Sequence, residues 1–368
     1  MKVVQFVPSL DSGGVEQGVI EIAKALVEDN HESHVVSSGG RLVDDLISSG
    51  SHHHKWDLGK KSLLNLRLIK PLRNWIVSTQ PDIIHVRSRM PAWLVWKALN
   101  GIPQSQRPQL VSTVHGLHSV NFYSRVMTKP HNIIAVSQSS KNYIIDNYTK
   151  SENKNIKLIY RGVDSSNYNK DYAPSDKWLS DWYEQYPETK SAKLLTISGR
   201  ISPLKDIEKI IHLAKSIKDN SSHNFKILIA GEAQNKHLKY LKNLKNTIKY
   251  LGLSEDIYFL NFRKDIKDIY AISSLAFNTS NKPESFGRSV LEPLSMGVPT
   301  IGYNRGGVKE ILDELYPFGG VTPGSDEQLL NKTLCILDGN EANIKTNTKF
   351  ITSKMCSETL GFYKEILS

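Results

Sequence analysis

The sequence predicts an α/β protein built from two doubly wound parallel sheets, and three observations lead to this fold class. Short β-rich runs alternate with amphipathic stretches early in the chain, at residues 3–7, 35–37, 83–86, 110–114 and 133–136. The same alternation returns at residues 194–198, 226–230, 257–260, 275–278 and 298–301. Strands separated in this way pair in parallel. Finally, 368 residues exceed what one hydrophobic core usually organises, so two domains are expected.

The segment between the two series lacks this alternation. Residues 165–192 are rich in Ser, Asn and Asp and contain Pro174 and Pro187, which is typical of a connection between domains. We therefore expect a first domain over residues 1–165 and a second over residues 166–349. Doubly wound sheets bind ligands at the carboxyl ends of their strands, so both domains are expected to face a central cleft.

Composition limits the classes of partner. The formal net charge of +10 favours an anionic partner, such as a phosphorylated metabolite or an anionic lipid. The sequence has no RNP-type aromatic cluster, zinc-finger spacing or basic zipper, so no nucleic-acid partner is expected. Cys335 and Cys356 are too few for a disulfide framework and indicate reduced thiols. Because the sequence has neither a membrane-spanning apolar run nor an N-terminal signal segment, we expect a cytoplasmic location.

Two cations follow the strand predicted at residues 194–198. Arg200 and Lys205 lie in a loop that leads into a predicted helix, so they should project at the carboxyl edge of the second sheet. An Arg fork and a Lys charge suit a diphosphate whose negative charge grows as a bond to it breaks. Taken alone, the loop fits two solvated surface cations better.

Two glutamates stand eight residues apart in the stretch Pro-Glu-Ser-Phe-Gly-Arg-Ser-Val-Leu-Glu, residues 283–292. The turn that precedes the predicted helix exposes backbone N–H groups to an anion. Glu292 lies about two turns further on, where its carboxylate can bond a ribose diol. Pro293 predicts a bend at this point. The alternative is that Glu284 and Glu292 are exposed acids at helix ends.

These motifs resemble the paired-glutamate motif of the family 4 glycosyltransferases, which are retaining enzymes with the GT-B fold of two Rossmann-like domains. The resemblance covers nearly the whole chain. The matching segments are residues 13–16, 81–86, 112–116, 161–164, 284–292, 297–300 and 306–310. Arg161 departs from the family's usual Asn, and residues 230–233 depart from its usual Gly-x-Gly, which leaves the identity of the base open.

The resemblance implies a role for each matching residue of the second domain. Arg200 and Lys205 would bind the donor diphosphate, Glu284 would face the donor sugar, and Glu292 would bind the ribose. The backbone from Ser285 through Phe286 and Gly287 to Arg288 would meet sugar hydroxyls or phosphate. The base would be flanked by Asn261, Phe262 and Arg263.

For the first domain, the resemblance implies the acceptor side and part of the reaction face. Gly13 and Gly14 form a loop that lets the backbone approach the ligand, although an ordinary tight turn explains such a pair equally well. His115 would lie near the donor sugar and orient it. The expected catalytic set is therefore His115, Glu284, Arg200 and Lys205. A C-terminal helix at about residues 350–368 would pack back on this domain.

No metal or other cofactor is expected. The sequence contains no Asp-x-Asp triplet that would hold a divalent ion on the diphosphate. The tract His52-His53-His54 has no accompanying carboxylate or cysteine cluster, and we assign it to a loop. Cationic side chains are expected to carry the electrostatic role instead.

The predicted function is a retaining transfer of a sugar from a nucleotide diphosphate, UDP or GDP, to a glycan or lipid-linked acceptor in cell-surface polysaccharide or lipopolysaccharide synthesis. A sugar-nucleotide epimerase of the same architecture is the nearest alternative, because it also binds the diphosphate. A non-catalytic sugar-nucleotide-binding protein is a third hypothesis. Product analysis separates them, because an epimerase needs no acceptor and a silent protein turns over no donor.

Residues 55–97 combine cations with aromatic side chains. The segment holds nine Lys and Arg, two acids, and four of the six tryptophans, Trp56, Trp75, Trp93 and Trp96. This composition fits peripheral contact with the anionic inner face of the cytoplasmic membrane. It fits equally well a helix whose Leu64, Leu68, Leu72 and Ile76 face the core while the cations are solvated.

Overall fold

Two sheets in which every strand pair is parallel organise the chain. The computed structural model describes residues 1–11, 13–59, 63–148, 153–340 and 342–368. These residues form two compact units. One comprises Met1–Gly162 and Thr352–Ser368, and the other comprises Val163–Ile351. The predicted α/β class with two parallel-sheet domains is confirmed.

The first unit contains a seven-stranded sheet with the order β3-β2-β1-β4-β5-β6-β7. Its strands are β1 (Lys2–Phe6), β2 (Glu32–Ser37), β3 (His52–Lys55), β4 (Ile83–Val86), β5 (Gln109–Val114), β6 (Asn132–Ala135) and β7 (Asn155–Leu158). Its helices are α1 (Gly14–Glu28), α2 (Val43–Ser48), α3 (Ile69–Thr79), α4 (Arg89–Leu99), α5 (Gln138–Tyr148) and the C-terminal helix Thr352–Leu367.

Alternation along the buried strands supplies a core on each face of this sheet. Val4 and Phe6 of β1 pack with residues of α3 and α4. On the opposite face, Val3 packs with Ile22 of α1 and with the C-terminal helix. This two-sided burial explains why the strands are apolar almost throughout, as parallel strands between two helical layers must be. The C-terminal helix, expected near residues 350–368, therefore belongs to the first unit.

The structure corrects the assignment of the His52-His53-His54 tract to a loop. These histidines form most of β3, the edge strand that pairs with β2. The imidazole of His34 on β2 stacks on those of His52 and His54, with ring centroids 4.9 Å and 5.2 Å away. Cross-strand ring contacts of this kind stabilise a strand pair, so polar residues form a strand that an apolar pattern does not predict.

The second unit contains a six-stranded sheet with the order β10-β9-β8-β11-β12-β13. Its strands are β8 (Lys193–Ser198), β9 (Phe225–Ala230), β10 (Ile257–Asn261), β11 (Leu275–Asn278), β12 (Thr300–Tyr303) and β13 (Gly320–Val321). Its helices are α6 (Asp176–Gln185), α7 (Ile207–Asn220), α8 (Leu238–Tyr250), α9 (Ile266–Ala271), α10 (Arg288–Ser295), α11 (Gly306–Leu315) and α12 (Asp326–Leu337).

Residues 165–192, interpreted from the sequence as a connection, contain the ordered helix α6. The Ser175 side chain caps it by accepting a hydrogen bond from the Trp178 backbone N–H. Trp182 is buried against Leu194 and Leu228 of the second sheet. This part of the segment is thus held in place by burial of a large aromatic side chain, which its polar composition conceals.

None of the helices that the structure describes is both long and apolar enough to span a membrane.

Candidate active site

The loop that follows β8 fixes the position of Lys205 and leaves the side chain of Arg200 exposed. Gly199 has a φ of 128°, which favours glycine, and Lys205 ends a one-turn helix, Pro203–Lys205. Asn281, which follows β11, ties this turn in place because its backbone N–H donates to the Leu204 carbonyl at 2.7 Å and its side chain to the Pro203 carbonyl at 2.8 Å. Among the described residues, the exposed Arg200 side chain makes no hydrogen bond or ion pair.

Lys205 and Glu284 form an ion pair, with 2.7 Å between the ammonium nitrogen and Oε1. The same Oε1 accepts hydrogen bonds from Asn278 at 3.1 Å and from Ser280 at 2.5 Å. No hydrogen bond to Oε2 of Glu284 comes from the part of the chain that the structure describes. One carboxylate oxygen is therefore held by three donors, and the other by none of the described residues.

The electrostatic surroundings keep Glu284 ionised. Burial raises the pKa of its carboxyl, but the Lys205 charge and the hydrogen bonds from Lys205, Ser280 and Asn278 outweigh burial, so the pKa lies below its ordinary value. Glu284 is consequently a carboxylate at neutral pH and acts as a hydrogen-bond acceptor only.

Two glycines at the start of α11 allow the backbone around Glu284 to approach closely. The Gly307 N–H donates to the Glu284 carbonyl at 2.8 Å. A Cβ on Gly306 would lie 2.5 Å from that same carbonyl oxygen, and a Cβ on Gly307 would lie 2.4 Å from the Phe286 Cα. Both positions therefore need glycine because the neighbouring atoms are backbone and cannot move aside cheaply.

The paired-glutamate stretch then turns into α10 at Gly287, whose φ is 118°. Phe286 is buried and packs edge-on against Phe350, so its backbone rather than its ring is available, and Ser285 is half-buried. Arg288 and Glu292 pair along the helix at 2.9 Å. Pro293, which follows Glu292, lies inside α10.

The segment expected to flank the base begins at Asn261, the last residue of β10. Asn261 is left-handed, with a φ of 56°, and it lines a cavity of about 220 Å³ together with Glu232, Phe259 and residues of α8. Phe262 is exposed. The Arg263 guanidinium is already engaged, because it pairs with Asp265 at 2.8 Å and lies over the Trp182 ring.

In the first unit, Gly13 has a φ of 147° and precedes α1. The Arg161 guanidinium donates to the carbonyl of Gly14 at 2.6 Å and lies 3.6 Å from the Glu21 carboxylate. A Cβ on Gly18 would lie 2.4 Å from this guanidinium. The residue that departs from the resemblance is thus a buried clamp on the start of α1.

His115 follows β5 at the carboxyl edge of the first sheet. Burial, followed by the charges of Arg161 and Arg87, holds the pKa of its imidazole well below the ordinary value. His115 is therefore a neutral imidazole at neutral pH. For His118 nearby, burial and then the Arg89 charge lower the pKa to about 4.

The structure brings Lys205 together with Glu284, and Arg288 together with Glu292. Sequence analysis missed Asn278, Ser280 and Arg305, whose guanidinium donates to the Ser280 carbonyl at 2.6 Å. The signal for Asn278 was present, because it is a polar residue at the carboxyl end of a predicted apolar strand. Within the described ranges, no group of three or more His, Cys, Asp or Glu residues is arranged to hold a metal ion.

Two known protein families match the two halves of the chain. The family described as "Glycosyltransferase Family 4" matches residues 12–167, and the family described as "Glycosyl transferases group 1" matches residues 180–351. The chain belongs to the family 4 glycosyltransferases. The predicted family and the predicted enzyme class are therefore confirmed.

Similar proteins support this assignment over the full length of the glycosyltransferase. N-acetyl-alpha-D-glucosaminyl L-malate synthase from Bacillus anthracis is 24% identical and matches 98% of this chain and 95% of its own. A glycosyltransferase from Rickettsia africae superposes with a TM-score of 0.84 at 26% identity, over 100% of this chain and 98% of that one. The fold is also similar to that of Anabaena Alr3699/HepE, solved in complex with UDP and glucose. The TM-score is 0.81 at 23% identity, over 99% of this chain and 100% of that one.

Proposed function

We propose that this glycosyltransferase takes its sugar from a nucleoside diphosphate, UDP or GDP, and retains the anomeric configuration during transfer. The observation that carries the proposal is the Glu284 carboxylate, which has Oε1 held by Lys205, Asn278 and Ser280 and Oε2 left without a partner among the described residues. The complex of Alr3699/HepE with UDP and glucose supports a donor of this class.

Three positive groups are proposed to bind the diphosphate, all in the second unit. Arg200 is exposed and has no hydrogen-bond or ion-pair partner among the described residues, so its planar guanidinium can bond two phosphate oxygens. Lys205 adds a charge that its pairing with Glu284 orients. The N-terminus of α10, which begins after Gly287, adds backbone N–H groups that favour an anion. Glu292 is proposed to bond the ribose and Asn261 to border the base.

Transfer is proposed to proceed on the leaving-group face of the donor. The bond from the anomeric carbon to the phosphate oxygen breaks, and its electron pair leaves with the diphosphate. The acceptor oxygen attacks the same face of the oxocarbenium-like sugar, while its proton passes to a phosphate oxygen. Arg200 and Lys205 stabilise the growing negative charge. The Oε2 atom of Glu284 is proposed to accept a hydrogen bond from a hydroxyl of the donor sugar. Neutral His115 is proposed to orient the donor sugar through a hydrogen bond to another hydroxyl.

No metal or other cofactor is proposed for this reaction. Lys205 and Arg200 supply, as fixed charges, the stabilisation that a divalent ion would give to the diphosphate. The proposed acceptor is a hydroxyl of a glycan or lipid-linked glycan, at the inner face of the cytoplasmic membrane. A small hydroxy acid is a second candidate acceptor, because the relative from Bacillus anthracis is named for the synthesis of N-acetyl-alpha-D-glucosaminyl L-malate, which joins a sugar to L-malate.

A thermal-stabilisation screen against UDP-, GDP- and ADP-sugars tests the donor site. One donor class should stabilise the protein equally with and without a chelator. Arg200→Ala should weaken that donor's binding by about tenfold to a hundredfold, because a charged hydrogen bond contributes about 1.5–3 kcal/mol, and Glu292→Ala should weaken it as well. Lys242→Ala, on the exposed side of α8, is the matched control. Donor binding that persists in both variants would show that Arg200 and Glu292 do not belong to the donor site.

With the donor known, an acceptor panel follows. Nucleoside diphosphate should be released only when a glycan, a lipid-linked glycan or L-malate is present, and the product's anomeric configuration should equal that of the donor. Inversion would overturn the retaining mechanism. Conversion of the donor sugar without acceptor would instead support an epimerase.

A further inference from the structure

A long part of the first unit contains no acidic residue. Between Asp82 and Asp146 the sequence has no Asp or Glu, but it has seven cations, Arg87, Arg89, Lys97, Arg107, Arg125, Lys129 and Lys141. The whole stretch is described by the structure and includes α4, β5, β6 and the segment between β5 and β6. Arg87 is buried, but the other six cations have no carboxylate of the same stretch beside them, which favours an anionic partner.

An aromatic cluster lies in the same stretch. Trp93 and Trp96 on α4 contact each other, with ring centroids 5.6 Å apart, and Phe122 lies 5.2 Å from Trp93. Phe122 is 76% exposed, and the nearby Val120 is 55% exposed. Exposed apolar side chains that cluster and are rimmed by polar residues mark interaction sites.

Cations flank the aromatic rings directly. The ammonium groups of Lys97 and Lys129 each lie 5.3 Å from the centre of the Trp96 ring. Both lysines are exposed, so their apolar stems can lie along the indole while their charges reach the solvent. We call Trp93, Trp96, Lys97, Phe122 and Lys129 the aromatic–cationic surface.

Hydrogen bonds hold this surface in shape. The Trp93 indole N–H donates to the Tyr123 carbonyl at 3.0 Å, so the residue next to Phe122 is fixed to α4. Arg89 donates to the Ser124 hydroxyl at 3.1 Å and lies over the Tyr123 ring. The exposed Phe122 is therefore carried on an ordered segment, which lowers the entropy lost when a partner covers it.

The tryptophans earlier in the chain do not belong to this surface. Trp75 packs edge-on against the buried Phe6 and contacts His54 and Trp56. Leu72 and Ile76 on the same helix are buried, whereas Lys60, Lys61 and the side chain of Leu64 lie outside the described residues. The structure thus supports the core-facing alternative for α3.

We propose that the aromatic–cationic surface docks this protein on an anionic lipid bilayer. Trp and Phe are the side chains that enter the boundary between headgroups and acyl chains, and lysines beside them attract anionic headgroups. The cations flank an exposed apolar centre, which matches a bilayer interface better than the uniformly charged surface of a nucleic acid. The proposal does not depend on the donor site, which lies in the second unit.

Vesicle sedimentation with the full chain tests the surface. The protein should bind vesicles of phosphatidylcholine and phosphatidylglycerol, and should bind vesicles of phosphatidylcholine alone much more weakly. Phe122→Ser and the double variant Lys97→Glu with Lys129→Glu should each reduce binding to the anionic vesicles by about tenfold or more. The matched controls are Tyr250→Ser, which removes a ring that is 88% exposed in the second unit, and Lys242→Glu.

Each outcome decides the proposal. Loss of binding in the surface variants, with unchanged melting temperature and unchanged stabilisation by donor, supports it even if the donor proves not to be a nucleotide sugar. Equal binding to neutral and anionic vesicles, equal binding by Phe122→Ser and wild type, or no vesicle binding at all would overturn it. Binding to single-stranded nucleic acid in preference to vesicles would also overturn it.

Discussion

The Lys205 ammonium lies 2.7 Å from Oε1 of Glu284, although 79 residues separate them in the chain. The two side chains come from loops after β8 and β11, which are neighbours in the second sheet. Parallel pairing therefore brings together two residues that belong to separate motifs in the sequence. The pair links the charge on the loop after β8 to the carboxylate of the paired-glutamate motif.

Lys205→Met should expose the cost of leaving Glu284 without its cation. At neutral pH we expect the free energy of unfolding to fall by about 1–3 kcal/mol, less than for a fully buried pair because both side chains are partly exposed. The pKa of Glu284 should rise, because the Lys205 charge lowers it in the wild type. Urea unfolding measures the first effect.

The pH dependence of that difference is a stricter test. Because the folded-state pKa of Glu284 lies below its unfolded value, the pair's stabilisation is complete above the ordinary Glu pKa of about 4.3 and is lost as the pH falls through the folded pKa. The wild type and Lys205→Met should thus converge in stability in acid. Lys209→Met, which breaks an exposed pair with Asp326, should cost less than about 1 kcal/mol. Equal costs for the two variants would contradict this account.

Gly307→Ala should be strongly destabilising, whereas Gly361→Ala should not. A Cβ at Gly307 would lie 2.4 Å from the Phe286 Cα, while a Cβ at Gly361 in the C-terminal helix would meet nothing within 4 Å. We expect Gly307→Ala to cost about 1–3 kcal/mol or more through overpacking and Gly361→Ala to stabilise by about 0.5–1 kcal/mol. Thermal unfolding of both variants checks this, and a mild effect at Gly307 would mean that residues 284–286 can move aside.

Sequence analysis predicted the sheets well where apolar strands alternate with helices. It failed at β3, because His52, His53 and His54 form a strand through ring contacts with β2 rather than through apolar burial. The site followed the same rule. Arg200, Lys205 and Glu284 were predicted because loops after strands are expected to carry function. Asn278 and Ser280 were not predicted, because their contact with Glu284 depends on the fold. Spacing along the chain does not encode that contact.

Arg161→Asn replaces the buried clamp on α1 with the residue that is usual in the family. The variant loses the hydrogen bond to the Gly14 carbonyl and leaves Glu21 without the nearby guanidinium, so stability should fall by about 1–3 kcal/mol. The pKa of His115 should rise, but only in part, because burial is the larger cause of its low value. Titration of the histidine ring resonances measures the change. Lys70→Asn, an exposed cation on α3, is the control and should leave His115 unaffected.

The stacked histidines on β2 and β3 should make the edge of the first sheet sensitive to acid. His34 Nδ1 and His54 Nε2 are 3.0 Å apart. The pKa of His34 is lowered by burial in spite of Glu32, and that of His54 by burial and then by His34 and His52. Since the unfolded chain takes up these protons first, stability is complete above about pH 6.5 and declines as the pH falls toward the folded values.

His54→Phe keeps a ring against Trp75 and removes one of these titrations. Between about pH 7 and pH 5, this variant should lose less stability than the wild type, by up to about 1 kcal/mol for one group. Urea unfolding across this range measures the slopes. Identical slopes for His54→Phe and the wild type would contradict this prediction, because protonation of His54 would then cost no free energy of folding.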